Sequence, residues 1–331
     1  MKVAFVTRDY PPSVGGISTH SSNLVRELRT AGVEVEVYVG HTDANTLLLP
    51  LRVRLDEYDL VHVQSAPYGA AISGTTLVVT VHSPIPTEFS GYGMVSKLKS
   101  VPSLPLEALS LTKARSVLAV SEATRDEIVQ AYRIPPGKVT VIGNGVGQEF
   151  FSSPAGRRSA KRILMVSRLE PRKNVLEAIH AICRLPPRVY EAQVVGSGSQ
   201  LELLSSVVEK EGANVAFLGR VENQALPSIY ASAGIFLTTS LSEGFGLSLL
   251  EAMASGCAVL ASDISTHRSL ITHGVNGMLY SSLPDLQKTL TELLSSPTLQ
   301  EQLGEKARET ASSYTWKEVS SRVLAAYRQA V

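Results

Sequence analysis

Short apolar runs rich in β-formers recur along this chain, each separated from the next by a longer stretch with helical spacing. That alternation leaves few folds open. The first series is Lys2–Thr7, Val33–Val39, Leu60–Val63, Leu77–Val81, Val117–Val120 and Val139–Ile142. Residues 151–160, polar, small and proline-containing, read as a linker. The pattern then restarts with Arg162–Val166, Ala192–Val195, Val215–Leu218, Gly234–Thr239 and Ala258–Ala261. Strands that are apolar throughout need cover on both faces, and the intervening helices supply it. The expected class is therefore α/β, with two Rossmann-like, doubly wound parallel-sheet domains facing each other across a cleft. Boundaries of 1–155 and 156–312 follow from the linker, and residues 313–331 carry a terminal amphipathic helix with one apolar face.

A chain of 331 residues suits two domains of ordinary size. Its net charge of +1 gives no signal for nucleic acid or for an acidic partner. Cys183 and Cys257 lie far apart, outside any metal-ligand spacing, and read as small core residues in a reducing compartment. The apolar run at Met1–Thr7 is too short for a secretion signal, and no window reaches the roughly 18 apolar residues of a membrane span. The expectation is a cytoplasmic protein, soluble or peripheral on the inner face of a membrane.

The richest segment is Glu243-Gly-Phe-Gly-Leu-Ser-Leu-Leu-Glu251. It runs from a buried strand through a glycine turn into a helix starting near Leu247, which leaves unpaired backbone N–H groups where an anion can dock. Glu243 precedes the helix and Glu251 sits within it, so the two carboxylates can flank a ligand over its N-terminus. Amides for a diphosphate and acids for hydroxyls suit a nucleotide sugar. Upstream, Arg168 and Lys173 bracket the exit of an earlier strand, where an arginine fork and a lysine point charge can converge on a diphosphate. Neither is expected in a core.

This combination resembles the retaining glycosyltransferases of family four, often called glycosyl transferases group 1, whose signature is Glu, seven residues, Glu around a Gly-Phe-Gly core. The resemblance covers nearly the whole chain and implies the GT-B fold, with the terminal helix crossing back to the first domain. It implies that Arg168 and Lys173 hold the donor pyrophosphate and that Glu251 accepts from the ribose hydroxyls. Glu243 would lie near the transferred sugar, and Phe245, Gly246, Leu247 and Ser248 would lend backbone amides. Gly219, in Phe217–Val221, falls where the family's backbone lines the nucleobase; main-chain contacts there leave UDP-, GDP- and ADP-linked donors all open. Gly15 and Gly16 match the paired glycine that abuts the donor phosphate from the first domain, and His82, in Val81-His-Ser-Pro84, matches the histidine that contacts the transferred sugar.

The implied reaction moves a hexose-type sugar to a hydroxyl acceptor, a sugar or a lipid-linked molecule, with retention. No residue reads as a covalent nucleophile, so a same-face route is implied in which the departing diphosphate helps deprotonate the acceptor. No Asp-x-Asp occurs in the chain, and no obligatory metal or other cofactor is expected. Rival readings on the same fold are a nucleotide-sugar epimerase, a sugar phosphorylase, or a nucleotide-sugar-binding protein without turnover. One departure stands out: after Ser262-Asp263 the family often has Gly-Gly-x-x-Glu, whereas this chain reads Ile264-Ser-Thr-His-Arg-Ser-Leu270.

Other signals are weaker. His62 ends a strand, where an acceptor-pocket role and a core role are equally open, and His20 can face either way from the first helix. His41, His180, His267 and His273 read as ordinary residues. The segment 91–115 interleaves Lys97, Lys99, Lys113 and Arg115 with leucines; it reads as a solvated helix face over core leucines, with a membrane-surface patch as the alternative.

Overall fold

The computed structural model of the chain describes residues 1–13, 15–49, 53–88, 101–152 and 158–331. They form two compact units, one of Met1–Gly145 with Tyr314–Val331, the other of Val146–Ser313.

The first unit holds six strands, β1 (Lys2–Thr7), β2 (Glu34–Val39), β3 (Leu60–Val63), β4 (Leu77–Val81), β5 (Ser116–Ala119) and β6 (Val139–Val141). They lie in the order β2-β1-β3-β4-β5-β6, all parallel. The central strands β3 and β4 are buried at every residue, His62 and Thr80 included, as mostly apolar strands are when helices cover both faces. Edge strand β2 alternates at its start and keeps Glu34 and Glu36 in water.

The second unit repeats the plan with β7 (Ser159–Val166), β8 (Glu191–Val195), β9 (Val215–Gly219), β10 (Ala233–Thr238), β11 (Ala258–Ser262) and β12 (Met278–Tyr280). Its order is β12-β11-β10-β7-β8-β9, again parallel. The winding reverses between β7 and β10. At the carboxyl ends of such a neighbouring pair, where the strand order switches, sheets of this kind take ligands.

The division falls at Gly145, ahead of the residue 155 suggested by linker composition. Packing explains the difference. The short helix Glu149–Ser152 lies on the second unit, with the Phe150 ring edge-on to Tyr230 at 5.7 Å. Residues 153–157 of the expected linker lie outside the described residues.

The terminal helix Trp316–Ala330 belongs to the first unit. Thr315 caps it by accepting from the Glu318 N–H at 3.1 Å, and the Thr-x-x-Glu spacing makes this a capping-box start. Trp316, Val319, Val323, Ala326, Tyr327 and Ala330 form its buried stripe. Each large apolar side chain among them contributes about 1.5–3 kcal/mol by leaving water.

Of the segment 91–115, residues 91–100 lie outside the described residues. Ser103–Lys113 is a helix that buries Leu111 and exposes Leu109. Lys113 donates to the carbonyls of Ala70 (3.0 Å) and Ile72 (2.5 Å), so its charge ties the helix to its own unit. Among the described residues no helix is long and apolar enough to cross a membrane.

Candidate active site

The residues expected to hold the donor gather at the carboxyl ends of β7 and β10, which are neighbours in the sheet. After β7 the chain passes Ser167-Arg168-Leu169 and makes a single 3-10 turn, Pro171–Lys173, before the helix Val175–Cys183. Gly196 lets a neighbouring loop close on this turn: a Cβ there would stand 1.8 Å from the Ser167 carbonyl oxygen. The loop after β10 is anchored to the same turn, with Leu241 N–H donating to Arg172 O (2.9 Å) and Thr239 Oγ1 donating to Asn174 O (2.9 Å).

Those anchors bring Lys173 against Glu243. Lys173 Nζ donates to Glu243 Oε1, Ser240 Oγ donates to the same oxygen at 2.7 Å, and Arg172 Nη1 lies 3.7 Å from Oε2. The two side chains are only 13% and 10% exposed, so Lys173 is largely buried, contrary to the sequence expectation. Burial works against the Glu243 carboxylate, but Lys173 and then Arg172 outweigh it and bring the group down to about 2. Burial likewise pulls the Lys173 ammonium below the ordinary lysine value, against the pull of Glu243. Arg168 is exposed and makes no hydrogen bond or ion pair among the described residues. It therefore stands free for a ligand, whereas Lys173 must be shared with Glu243.

Gly246 ends the turn at φ 87°, a left-handed conformation that suits glycine, and the helix Leu247–Ala254 begins at the next residue. In the first turn of a helix the N–H groups of Leu247 and Ser248 have no intrahelical acceptor and face the positive end of the helix dipole. Glu251 lies one turn in and accepts from the Tyr230 hydroxyl at 2.9 Å. Burial raises its carboxyl to about 7 even though the Tyr230 bond opposes the rise. The two glutamates of the motif thus differ: Glu243 is fixed as an anion, and Glu251 is poised to titrate. Gly219 ends β9 at φ 65°, its carbonyl accepting from Gly196 N–H at 2.7 Å.

Two residues here escape sequence reading. Arg172 reads as one more loop cation, yet it is buried and also donates to Ser242 O at 2.7 Å. His267, read as ordinary, is buried beneath the turn, and its Cδ2 lies 3.9 Å from where a Cβ on Gly246 would stand. Its Nδ1 lies 2.8 Å from the Ser262 carbonyl, which only accepts, so Nδ1 carries the proton and buried Nε2 has no partner. The neighbouring Thr266 donates to the Glu243 carbonyl at 2.7 Å. The departure from the family pattern at Ile264–Leu270 therefore places Thr266, which bonds the Glu243 turn, and His267, which packs beneath it. That departure was the available signal.

In the first unit, Gly15 precedes the helix Gly16–Thr30, and its carbonyl accepts from Thr19 N–H at 2.9 Å. Val14 lies outside the described residues. His82 follows β4 directly, and the ring of His20, one turn into the Gly16 helix, stacks edge-on against it at 4.8 Å. Burial, then the neighbouring His20 and His62, keep the His82 imidazole well below its ordinary value and hence neutral. His20 faces inward, bonded to Asn144 at 2.5 Å and edge-on to Trp316. His62 is wholly buried. The core role holds for His62, and an acceptor-pocket role does not.

Two doubly wound parallel sheets, each with its loops at the carboxyl ends of the strands, define the GT-B class of glycosyltransferase folds. Family comparison agrees: residues 147–310 match the family Glycosyl transferases group 1, and residues 42–150 match Glycosyltransferase Family 4. The chain belongs to this glycosyltransferase family and is an enzyme of that class. It is 27% identical to an uncharacterised glycosyltransferase of Methanocaldococcus jannaschii, covering 100% of this chain and 99% of the relative. It is 26% identical to the alpha-maltose-1-phosphate synthase of Mycolicibacterium smegmatis, covering 99% of each. Among solved structures, sucrose-phosphate synthase from Thermosynechococcus elongatus superposes with a TM-score of 0.84 at 18% identity over 99% of both chains. Anabaena HepE in complex with UDP-glucose gives 0.79 at 21% identity over 98% of both.

Proposed function

We propose that the protein transfers a hexose-type sugar from a nucleotide-diphosphate sugar to a hydroxyl of a sugar or lipid-linked acceptor, with retention and without an obligatory metal. The observation that carries this reading is that the Gly246 helix start and the Lys173–Glu243–Arg172 cluster lie together at the carboxyl ends of β7 and β10. A diphosphate on the Leu247 and Ser248 amides meets a positive helix end, with Arg168 and Lys173 as cations beside it. Glu251 accepts from the ribose hydroxyls, and neutral His82 meets the transferred sugar by hydrogen bonding rather than by charge. The donor bound by HepE supports a nucleotide sugar of this kind.

Chemistry follows from placement. As the anomeric carbon–oxygen bond breaks, its electron pair goes to the diphosphate oxygen, where amides and cations stabilise the growing charge. The acceptor oxygen forms its bond on the face the diphosphate leaves and passes its proton to a diphosphate oxygen. Glu243, held ionised by Lys173, supplies fixed negative charge near the sugar as positive charge develops on the ring.

Incubation with UDP-, GDP- and ADP-sugars and a panel of hydroxyl acceptors, followed by NMR, tests the reading. The expected product carries the donor's anomeric configuration and appears with free nucleoside diphosphate. Product of opposite configuration refutes retention. Donor turnover that ignores the acceptor supports epimerisation or hydrolysis, and turnover that requires phosphate supports a phosphorylase.

A further inference from the structure

A buried chain of hydrogen bonds connects His82 to the terminal helix. His82 Nε2 lies 3.1 Å from Gln64 Oε1, Gln64 Nε2 lies 3.1 Å from His62 Nε2, and His62 Nδ1 lies 2.6 Å from the Tyr327 hydroxyl. Thr80 Oγ1 stands 2.7 Å from His62 Nε2 as well. All of the residues between His82 and the terminal helix are buried, so water does not substitute for a missing link.

The direction of each bond follows from the groups. A carboxamide oxygen only accepts and its nitrogen only donates, and a neutral imidazole has one N–H. His82 therefore carries its proton on Nε2 and gives it to Gln64. The Gln64 amide donates to His62 Nε2, which leaves the His62 proton on Nδ1, donated to the Tyr327 oxygen. His82 Nδ1 keeps its lone pair and makes no hydrogen bond among the described residues.

We propose that the Tyr327 hydroxyl, acting through His62 and Gln64, sets the tautomer of His82, so that its ring presents an acceptor nitrogen rather than a donor to a ligand hydroxyl. Without that hydroxyl, His62 Nδ1–H loses its acceptor, while the opposite tautomer finds Thr80 waiting at Nε2. His62 Nε2–H then confronts the Gln64 amide protons, and the carboxamide turns to offer its oxygen. The amide nitrogen now faces His82 Nε2, which must accept, and the His82 proton moves to Nδ1. Each ring keeps one proton throughout. Tyr327 is thus a positioning residue; the consequence for turnover rests on the proposed placement of His82 at the sugar, and the tautomer itself does not.

Long-range proton–nitrogen NMR of protein labelled at histidine reads the His82 tautomer without any substrate. Wild type is expected to show Nε2–H and Tyr327→Phe, which keeps the ring packing, to show Nδ1–H. Gln64→Met cuts the chain and should release His82 to a mixture that a further Tyr327→Phe leaves unchanged. In transfer assays Tyr327→Phe should lower kcat/KM about tenfold, the scale of one hydrogen bond. An unchanged His82 tautomer in Tyr327→Phe, or a wild-type spectrum in Gln64→Met, overturns the relay. A switched tautomer with unchanged turnover supports the relay and refutes instead the placement of His82 at the sugar.

Discussion

Lys173 donates its ammonium to Glu243 across seventy residues of chain, and both side chains are largely withdrawn from water. A donor diphosphate that uses Lys173 has to share it with this carboxylate, whereas exposed Arg168 has no such tie. The two cations should therefore separate on substitution. Lys173→Met leaves a buried carboxylate with Arg172 at 3.7 Å as its remaining cation, and should cost about 3–5 kcal/mol of stability. Arg168→Ala should change stability by no more than about 0.5 kcal/mol while weakening donor binding. Urea unfolding and donor titration on both variants check this; equal stability losses would contradict the buried pair.

Glu251 should make stability and ligand affinity depend on pH in opposite senses. Its carboxyl is raised by burial from 4.5 to about 7, so the folded state holds a proton that the unfolded chain has released. Its contribution is fully favourable below 4.5 and is lost as pH rises to about 7, by about 3 kcal/mol in all. Glu251→Gln should remove that slope from unfolding curves taken between pH 4.5 and 7.5. On the proposed role of Glu251 as acceptor from the ribose hydroxyls, nucleotide affinity should rise through the same window in wild type and stay flat in the variant. A wild-type slope that survives Glu251→Gln assigns the titration elsewhere.

Two glycines of the site should respond differently to alanine. At Gly246 an added Cβ meets only ordinary contacts, 3.7 Å from Leu249, so the cost is the left-handed φ of 87°, about 1–2 kcal/mol. At Gly196 the added carbon would stand 1.8 Å from Ser167 O, and the loops after β7 and β8 must part. Gly196→Ala should therefore lower thermal stability more than Gly246→Ala, while Gly246→Ala should chiefly raise the donor KM.

Most of the architecture was legible because burial on both faces writes itself as short, predominantly apolar strands. Strand β12 was not: Met278-Leu-Tyr280 is too short to show a pattern, and pairing with β11 makes it a strand. At the site, Glu243, Gly246 and Glu251 were legible as a motif within nine residues. The Lys173–Glu243 pair was not, since tertiary packing alone brings those two loops together. Arg172 was hidden between two cations of the same loop, and nothing local distinguishes a buried arginine from a solvated one. His62 was ambiguous because a strand-end histidine reads alike whether its partner is a ligand or, as here, Tyr327 from the far end of the chain.

Metal independence is testable on its own. No Asp-x-Asp is present to clamp a cation on the diphosphate, and the proposed cations are side chains of the protein. Transfer should persist in excess EDTA within about twofold, and loss restored by one divalent ion would refute the metal-free route.

The most direct measurement is calorimetric titration of UDP-, GDP- and ADP-sugars into wild-type protein and Arg168→Ala, with EDTA present throughout. Selective binding of one nucleotide class by wild type, weakened at least about tenfold in Arg168→Ala, is the expected result. Absence of binding by folded wild type at millimolar donor would contradict the proposed donor site.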